Sequence, residues 1–236
     1  MLNDNENFVL VIGSKPNSKL PDTKVKKIYC ANGAAERGIL YKKYFQNIET
    51  ISVVSASEIN KREEVREKII NFKPQKIFCR FGKLDRKMIC RETLDNIEIV
   101  ELGKFNQLIW QSKFYKFGII NLFTSEYFYY HEIKKKIKYF SDCLRWRGFL
   151  GSSTGLFSIL LAHIENPNKK ILVSGIGIKS GGETFYGTNK DRTNRHRVDK
   201  KLFFNLKNKI KNQIITTDKE MSDYCKIPLW KGSYLP

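Results

Sequence analysis

One of the three histidines in this chain lies in a strongly basic stretch where acid–base chemistry could take place. His196 stands within "NKDRTNRHRVDKK", residues 189–201, among cations and two aspartates. A neutral imidazole takes up a proton near neutral pH, so His196 could activate a hydroxyl group as a general base. A solvated histidine on a basic surface would look the same, and the local context leaves both interpretations open. His131, beside aromatic residues, and His163, at a helix end, are interpreted as structural.

Small and polar residues form four turns that could hold an anion. These turns are Gly13-Ser14-Lys15-Pro16, Ala31-Asn32-Gly33, Ser152-Ser153-Thr154-Gly155 and the loop after Gly175. A helix that begins with small residues presents free N–H groups to a phosphate, and Lys179, Tyr186 and His196 could add side-chain donors. The pattern predicts a nucleotide site. It contains neither a Walker loop nor the dinucleotide G-x-G-x-x-G motif.

The elements that must position these turns alternate between short apolar runs and helical stretches. The strand candidates are "FVLVIG", "KKIYC", "ETISVVSA", "QKIFCRFG", "NIEIVEL", "KKILVSGIGI" and "NQIITTD". Helices are predicted near 34–45, over 57–72 with Ser57 as the cap, and from Asp218 to about 225; a basic loop is predicted over 179–199. The pattern predicts an α/β protein with a single doubly wound, mostly parallel sheet flanked by helices. Ligands bind at the carboxyl ends of such strands, where the four turns fall.

We expect one domain over residues 1–236, with an unusual segment inside it. Residues 104–150 combine aromatic and cationic residues with little periodicity. The segment is interpreted either as an aromatic core helix with a solvated basic face or as an insertion or lid. In the second case it would bind an acceptor substrate or lipid headgroups.

The charge of the chain indicates an anionic partner. Against 43 Lys and Arg stand 24 Asp and Glu, a formal net charge of +19. Nucleotides, nucleic acids and anionic membranes all fit this charge. No apolar run approaches the roughly 20 residues of a spanning helix, and no signal peptide is evident. The five cysteines have no C-x-x-C spacing, which favours reduced thiols and a cytoplasmic location without a metal site.

Several short motifs in order resemble the bacterial CMP-sialic-acid-dependent sialyltransferases, which have a variant, Rossmann-like nucleotide-binding fold, or a related CMP-Kdo transferase. "VIGSKPNSKL" is similar to their first strand and Gly-Asn-Gly-Pro-Ser-like turn, and "YCANG" to their Cys-Asn. "SSTGLFSILLAHI" and "KKILVSGIGI" resemble their Thr-Ser-Gly helix and Leu-Ser-Gly-Ile-Asp strand. "RHRVD" carries a histidine ahead of an aspartate, and "ITTDKEMSDY" resembles the closing strand and helix.

The resemblance implies roles for individual residues. His196 takes the place of the catalytic base, and Tyr186 lies near a tyrosine that supports the leaving phosphate. Lys179 stands where the family has a second phosphate tyrosine. The residues implied in nucleotide binding are Gly13, Ser14, Asn32, Gly33, Ser153, Thr154, Gly155 and Gly175.

Three departures from the family pattern widen the expected donor. Ser14 replaces the turn asparagine, and Gly177 replaces the aspartate of Ser-Gly-Ile-Asp. The arginine that the family has just before Thr-Ser-Gly is absent, although Arg145 and Arg147 lie a few residues earlier. The expected donor is therefore any CMP-activated 2-keto sugar acid, with sialic acid first and Kdo second.

The expected activity is that of an inverting glycosyltransferase without a cofactor. A sugar acid would move from its CMP donor to a hydroxyl of a surface glycan or glycolipid, as in lipopolysaccharide or capsule biosynthesis. His196 would take the hydroxyl proton while Lys179 and Tyr186 stabilise the departing phosphate. The sequence contains no D-x-D triplet, in agreement with metal independence.

Two alternatives come from other functional classes. The charge and the aromatic–basic segment suggest a nucleic-acid-binding protein, although no recognisable nucleic-acid motif is present and this reading is disfavoured. The departures at Ser14 and Gly177 suggest a catalytically inactive binding subunit with the same fold. Peripheral association with the inner face of the cytoplasmic membrane and homo-oligomerisation are compatible with the glycosyltransferase.

Overall fold

The computed structural model describes residues 7–15, 17–89, 96–115, 152–178, 193–210 and 213–236. In these ranges the strands are β1 (Phe8–Ile12), β2 (Lys27–Ala31), β3 (Glu49–Ser55), β4 (Lys76–Arg80), β5 (Glu98–Leu102), β6 (Lys170–Ser174) and β7 (Ile214–Thr216). The helices are α1 (Ala35–Tyr44), α2 (Ala56–Lys61), α3 (Glu63–Phe72), α4 (Lys104–Tyr115), α5 (Thr154–Glu165), α6 (Thr193–Lys209) and α7 (Lys219–Cys225). Short 3₁₀ turns occupy Asn32–Ala34 and Arg86–Met88.

The strands form one parallel sheet in the order β5-β4-β3-β2-β1-β6-β7. The chain first adds strands outward from β1 to β5 and then returns to place β6 on the free side of β1. The switch point of this Rossmann-like sheet therefore lies between β1 and β6, where ligands of such folds bind. The predicted doubly wound α/β fold is confirmed.

Two cores flank the sheet because side chains of successive strand residues point to opposite faces. Val9 and Val11 belong to the core that includes α5, α6 and α7. Leu10 and Ile12 belong to the other core, with α1, α2 and α3. Since both faces are covered, the central strands read as continuous apolar runs in the sequence.

The predicted helix over 57–72 is two helices. Arg62 has extended backbone (φ −120°, ψ 104°) and separates α2 from α3. The predicted cap was wrong: Ser57 lies inside α2, and the N-cap position is Ser55, whose side chain makes no capping bond. Glu63 and Glu64 open α3, where the positive end of the helix dipole favours acidic residues. Val65, Ile69 and Ile70 recur at helical spacing in the sequence; Val65 and Ile69 are buried, and Ile70 is half-buried.

The predicted loop over 179–199 is also wrong at its end, because α6 begins at Thr193. The first turns of α6 contain almost no apolar residues. The sequence therefore has no hydrophobic periodicity there from which a helix could be predicted. Asp218 does cap the last helix: its Oδ1 accepts bonds from the N–H groups of Glu220 (2.9 Å) and Met221 (3.3 Å).

The beginning of the aromatic–basic segment 104–150 is a helix that follows β5. Trp110 and Phe114 of α4 pack against the core, and the Trp110 ring stacks on Phe157 of α5 at 6.4 Å. This packing favours the core-helix interpretation for 104–115; residues 116–150 lie outside the described residues. Within the described ranges, none of the helices combines the length and the apolar character needed to cross a bilayer.

Candidate functional site

The turns after β1 and β6 continue the pairing of their strands at the switch point. The N–H of Gly13 donates to the Ser174 carbonyl (2.7 Å), and the N–H of Lys15 donates to the Gly175 carbonyl (2.9 Å). Both turns are therefore held side by side at the carboxyl edge of the sheet. The two predicted nucleotide-binding turns that contain Gly13 and Gly175 are neighbours in space.

Gly13, Gly155 and Gly175 pack closely around this junction. A Cβ on Gly13 would lie 2.2 Å from the Gly175 oxygen and 2.6 Å from Cδ1 of Ile176, and one on Gly155 would lie 2.7 Å from the same Cδ1. Gly175 has φ +74°, which side-chain-bearing residues rarely adopt. Backbone contacts thus require glycine at 13, and the positive φ favours it at 175. The start of α5 lies against the β1 and β6 turns through Ile176.

Arg37 of α1 fixes the same junction from the opposite core. Its Nη1 donates to the Gly13 carbonyl (3.0 Å) and its Nη2 to Ser174 Oγ (3.1 Å), with a further bond to the Ser18 carbonyl. Burial lowers the pKa of Arg37 to about 10. The Arg37 side chain therefore stabilises the turn after β1 by donating hydrogen bonds to its backbone carbonyls.

Asn32 directly follows β2 on the same edge of the sheet, where β2 pairs with β1. It adopts left-handed backbone (φ 51°), which asparagine tolerates better than most residues. Its Oδ1 accepts a long bond (3.4 Å) from the N–H of Ser55 at the end of β3. Gly33 is buried in the following turn, and Ser14 is half-buried after β1.

The start of α5 is tied to α6 by a carboxylate. Oδ1 of the buried Asp199 accepts from the N–H of Ser153 at 2.9 Å, and Ser153 Oγ caps the helix by accepting from Leu156 N–H at 3.2 Å. Hence the Ser153 N–H, which the sequence assigned to a nucleotide, already has a protein acceptor. Thr154 is buried at the same helix start.

A fully buried arginine, Arg80 at the end of β4, lies against this helix start. Its Nη atoms approach the Ser152 carbonyl at 3.3 and 3.4 Å, Ser152 Oγ at 3.4 Å and Thr154 Oγ1 at 3.5 Å. Its Cζ lies 4.1 Å from the ring centre of Phe157 and 4.3 Å from that of Phe81. A guanidinium and the positive end of α5 therefore face the same corner of the sheet edge.

Two glutamines of α4 complete the surroundings of Arg80. Gln107 Oε1 accepts from Arg80 Nε (3.1 Å), and its Nε2 donates to the Leu102 carbonyl (2.9 Å). Gln111 Oε1 accepts from Ser152 Oγ (2.9 Å). Within the described part of the chain, the buried Nε2 of Gln111 has no hydrogen-bond partner. The corner thus joins β4, α4 and α5 through polar side chains.

Of the three predicted catalytic residues, only one lies in the part of the chain that the structure describes. Residue 196 lies in α6, one turn before Asp199, whereas Lys179 and Tyr186 lie outside the described residues. His163 of α5 meets Phe114 edge-on at 5.3 Å, and burial lowers its pKa. This packing supports the structural interpretation of His163.

Lys15 connects the β1 turn to the beginning of α7. Its Nζ donates to Asp218 Oδ2 (2.6 Å) and Glu220 Oε2 (2.7 Å). Burial lowers the pKa of Lys15, but the hydrogen bonds and charges of these carboxylates outweigh that effect and raise it above its ordinary value. Lys15, in the first predicted turn, is thus paired within the protein.

Sequence reasoning missed the roles of Arg37, Arg80 and Asp199. Arg80 carried a signal, since it is a charged residue directly after the apolar run of a strand that is covered on both faces. It supplies an arginine to the helix start, where the sequence offered only Arg145 and Arg147, which lie outside the described residues. Arg37 carried no signal, because nothing in an amphipathic helix shows which cation turns toward a loop.

No protein-family model, curated protein or solved structure matches this chain. The resemblance to sialyltransferases therefore stays a prediction from motifs.

Proposed function

We propose that this protein is an inverting, metal-independent glycosyltransferase that moves a 2-keto sugar acid from a CMP donor to a hydroxyl of a glycan or glycolipid. One observation carries the proposal. The turns after β1 and β6 and the start of α5 meet at the switch point of the sheet, and the turn after β2 lies at the same edge, beside β1. Four motifs that are far apart in sequence are thus neighbours where α/β folds bind nucleotides.

The electrostatics of this edge suit a negatively charged donor. Arg80 contributes positive potential, the Asp199 carboxylate offsets part of the N-terminal dipole of α5, and Asn32 follows β2 where that strand pairs with β1. The same edge carries left-handed backbone at Asn32, which tolerates it, and at Phe81 (φ 66°), a bulky residue for which it is strained. Strained backbone is concentrated at functional sites in many proteins, because the surrounding structure must enforce it.

In the proposed reaction, the acceptor hydroxyl attacks the anomeric carbon of the sugar acid. His196 takes the hydroxyl proton, the bond between the anomeric carbon and the phosphate oxygen breaks, and CMP departs with the electron pair. Lys179 and Tyr186 stabilise the negative charge on the leaving phosphate. Because the displacement is single, the anomeric configuration is inverted.

Nucleotide specificity tests the proposal first. We expect CMP to raise the melting temperature of the protein and UDP, GDP and NAD to leave it unchanged, because a ligand of the native state alone stabilises the fold. If CMP leaves the melting temperature unchanged and the protein binds nucleic acid with an affinity that falls steeply with salt concentration, the protein is instead a nucleic-acid-binding protein.

Catalysis is tested separately with His196→Ala. We expect CMP-sialic acid or CMP-Kdo turnover to fall about 10²- to 10⁴-fold while CMP affinity is retained, as for loss of a general base. Asn208→Ala, an exposed change on the same helix, is the matched control. Full turnover in His196→Ala would refute the assigned base, and CMP binding without any turnover in the wild type would indicate an inactive binding subunit.

A further inference from the structure

The helix α6 consists of two parts that are held to the molecule differently. Its second half buries Leu202, Phe203 and Leu206 in the core. Its first seven residues, "TNRHRVD", contain only one apolar residue, Val198. Burial of apolar area therefore anchors the second half, whereas the first half has little apolar area to bury.

Asp199 lies at the boundary between these two parts and makes a specific bond. Its side chain is buried at 5% exposure, and Oδ1 accepts from the Ser153 N–H at 2.9 Å. A buried carboxylate is costly unless hydrogen-bonded, and the N-terminus of α5 offers it both a donor and a favourable dipole. The bond is thus directional and holds α6 against the start of α5.

Helix geometry connects this bond with residue 196. Three residues span about 4.5 Å of rise and bring the chain back to nearly the same side of the helix. Residue 196 accordingly lies one turn before Asp199 in α6. The bond at Asp199 fixes where that turn lies relative to the carboxyl edge of the sheet.

We infer that Asp199 is a positioning residue, whose bond to the Ser153 N–H holds the first turns of α6, and with them His196, at the proposed donor site. The catalytic consequence rests on the proposed function, whereas the docking of α6 does not. Asp199 itself touches no reacting atom in this proposal.

Hydrogen exchange tests the docking without any ligand. Asp199→Ala is expected to speed amide exchange in peptides covering 193–199 about 5- to 30-fold, since loss of a helix-terminal side-chain bond shifts an equilibrium by about that factor. Peptides covering 202–209 should exchange as in the wild type. Asp199→Asn, which keeps an Oδ1 acceptor, should restore slow exchange, and Asn208→Ala is the control.

A second pair of variants removes the donor instead of the acceptor, in case Asp199→Ala does not fold. Ser153 has φ −57°, which proline can adopt, so Ser153→Pro deletes the N–H while Asp199 remains. Ser153→Ala keeps the N–H and loses only the side-chain cap. Faster exchange of 193–199 in Ser153→Pro but not in Ser153→Ala supports the inference. Unchanged exchange in both Asp199→Ala and Ser153→Pro overturns it.

Turnover and CMP affinity then separate positioning from general stability. Asp199→Ala should lower turnover of the CMP-sugar at least about tenfold with CMP affinity within about threefold, and Asp199→Asn should recover most of the turnover. A parallel loss of CMP affinity and turnover would indicate a merely structural residue and overturn the positioning role. If the wild type turns over no CMP-sugar, the proposed function fails, and the exchange experiment alone decides whether Asp199 docks α6.

Discussion

The residues at the carboxyl edge differ in how far contacts within the protein explain them. Arg37 and the glycines at 13, 155 and 175 are explained by contacts within the protein. Asn32 is different, because its Oδ1 makes only a long bond and the described residues provide no hydrogen-bond acceptor for its Nδ2. Among the residues on this edge, Asn32 is therefore the one whose substitution best separates an effect on ligand binding from an effect on the stability of the protein.

Asn32→Gly is expected to weaken CMP binding about tenfold and to leave the free energy of unfolding within about 1 kcal/mol. Glycine accepts the left-handed backbone at φ 51°, so the change removes the amide without adding strain. Calorimetric titration with CMP and urea denaturation measure the two quantities.

Asn47→Gly is the matched control for this change. Asn47 has nearly the same backbone conformation (φ 57°) but precedes β3, at the opposite edge of the sheet. Equal CMP affinities for the Asn32 and Asn47 variants would remove Asn32 from the proposed site.

At the scale of elements, close packing and ion pairs hold the helices that surround the site. Helix α1 approaches β2 and α3 through Gly38, where a Cβ would lie 2.6 Å from Cys30 Sγ and 2.6 Å from Phe72 Cε2. Helix α7 is connected to the β1 turn through Lys15. Both contacts give predictions about stability that do not depend on the function.

Gly38→Ala is expected to lower the free energy of unfolding by about 1–3 kcal/mol, as overpacking in a core does. The better helix propensity of alanine, about 1 kcal/mol, would otherwise stabilise α1. Urea denaturation measures the sum of these effects. Lys43→Ala, at an exposed position of the same helix, should change stability by less than about 0.5 kcal/mol. A Gly38→Ala protein as stable as the wild type would contradict the packing of α1.

Lys15→Met should cost about 1 kcal/mol of stability near pH 8, in the range of a well-formed but partly exposed ion pair. The raised pKa of Lys15 means that this contribution is complete below its ordinary pKa of 10.5 and is lost as the pH rises through the folded-state value. Urea denaturation from pH 8 to 11.5 follows the difference from the wild type.

Lys24→Met, at an exposed position before β2, supplies the baseline for this pH series. A cost of Lys15→Met that stays constant to pH 11.5 would show that the cation contributes nothing through its charge.

At the scale of the whole molecule, the two cores that cover the sheet shield cysteine thiols from solvent. Cys30, Cys79 and Cys225 are buried free thiols. Burial raises the pKa of Cys79 to about 12 and that of Cys225 to about 11, and it also raises the pKa of Cys30. Thiolates are the reactive species, so these three buried thiols are expected to be unreactive in the folded protein.

A Cys90→Ser/Cys143→Ser protein, which keeps these three thiols, is expected to react with a thiol reagent at neutral pH only as fast as the protein opens. All three thiols should react quickly in concentrated urea, and absorbance of the released chromophore counts them. Fast labelling of the folded protein would contradict the burial of the three cysteines.

The sequence by itself determined the sheet, its strands and the positions of the candidate turns. Continuous apolar runs such as "FVLVIG" and "KKILVSGIGI" predict strands covered on both faces, because only such strands need no polar side. The α/β alternation in turn places Gly13, Asn32, Ser153 and Gly175 at one edge of the sheet. This information comes from the local conformational propensities of the residues and from the order of the strands and helices along the chain, and both are properties of the sequence.

The tertiary structure alone decided what the polar residues of that edge contact. The partners of Arg37 and Arg80, the insertion of Asp199 at the start of α5, and the helical form of residues 193–199 depend on contacts between elements distant in the chain. A polar residue has the same propensity whether it meets water, a backbone carbonyl or a ligand, because propensity is local. Its partner is set by the packing of the elements that bring the two groups together.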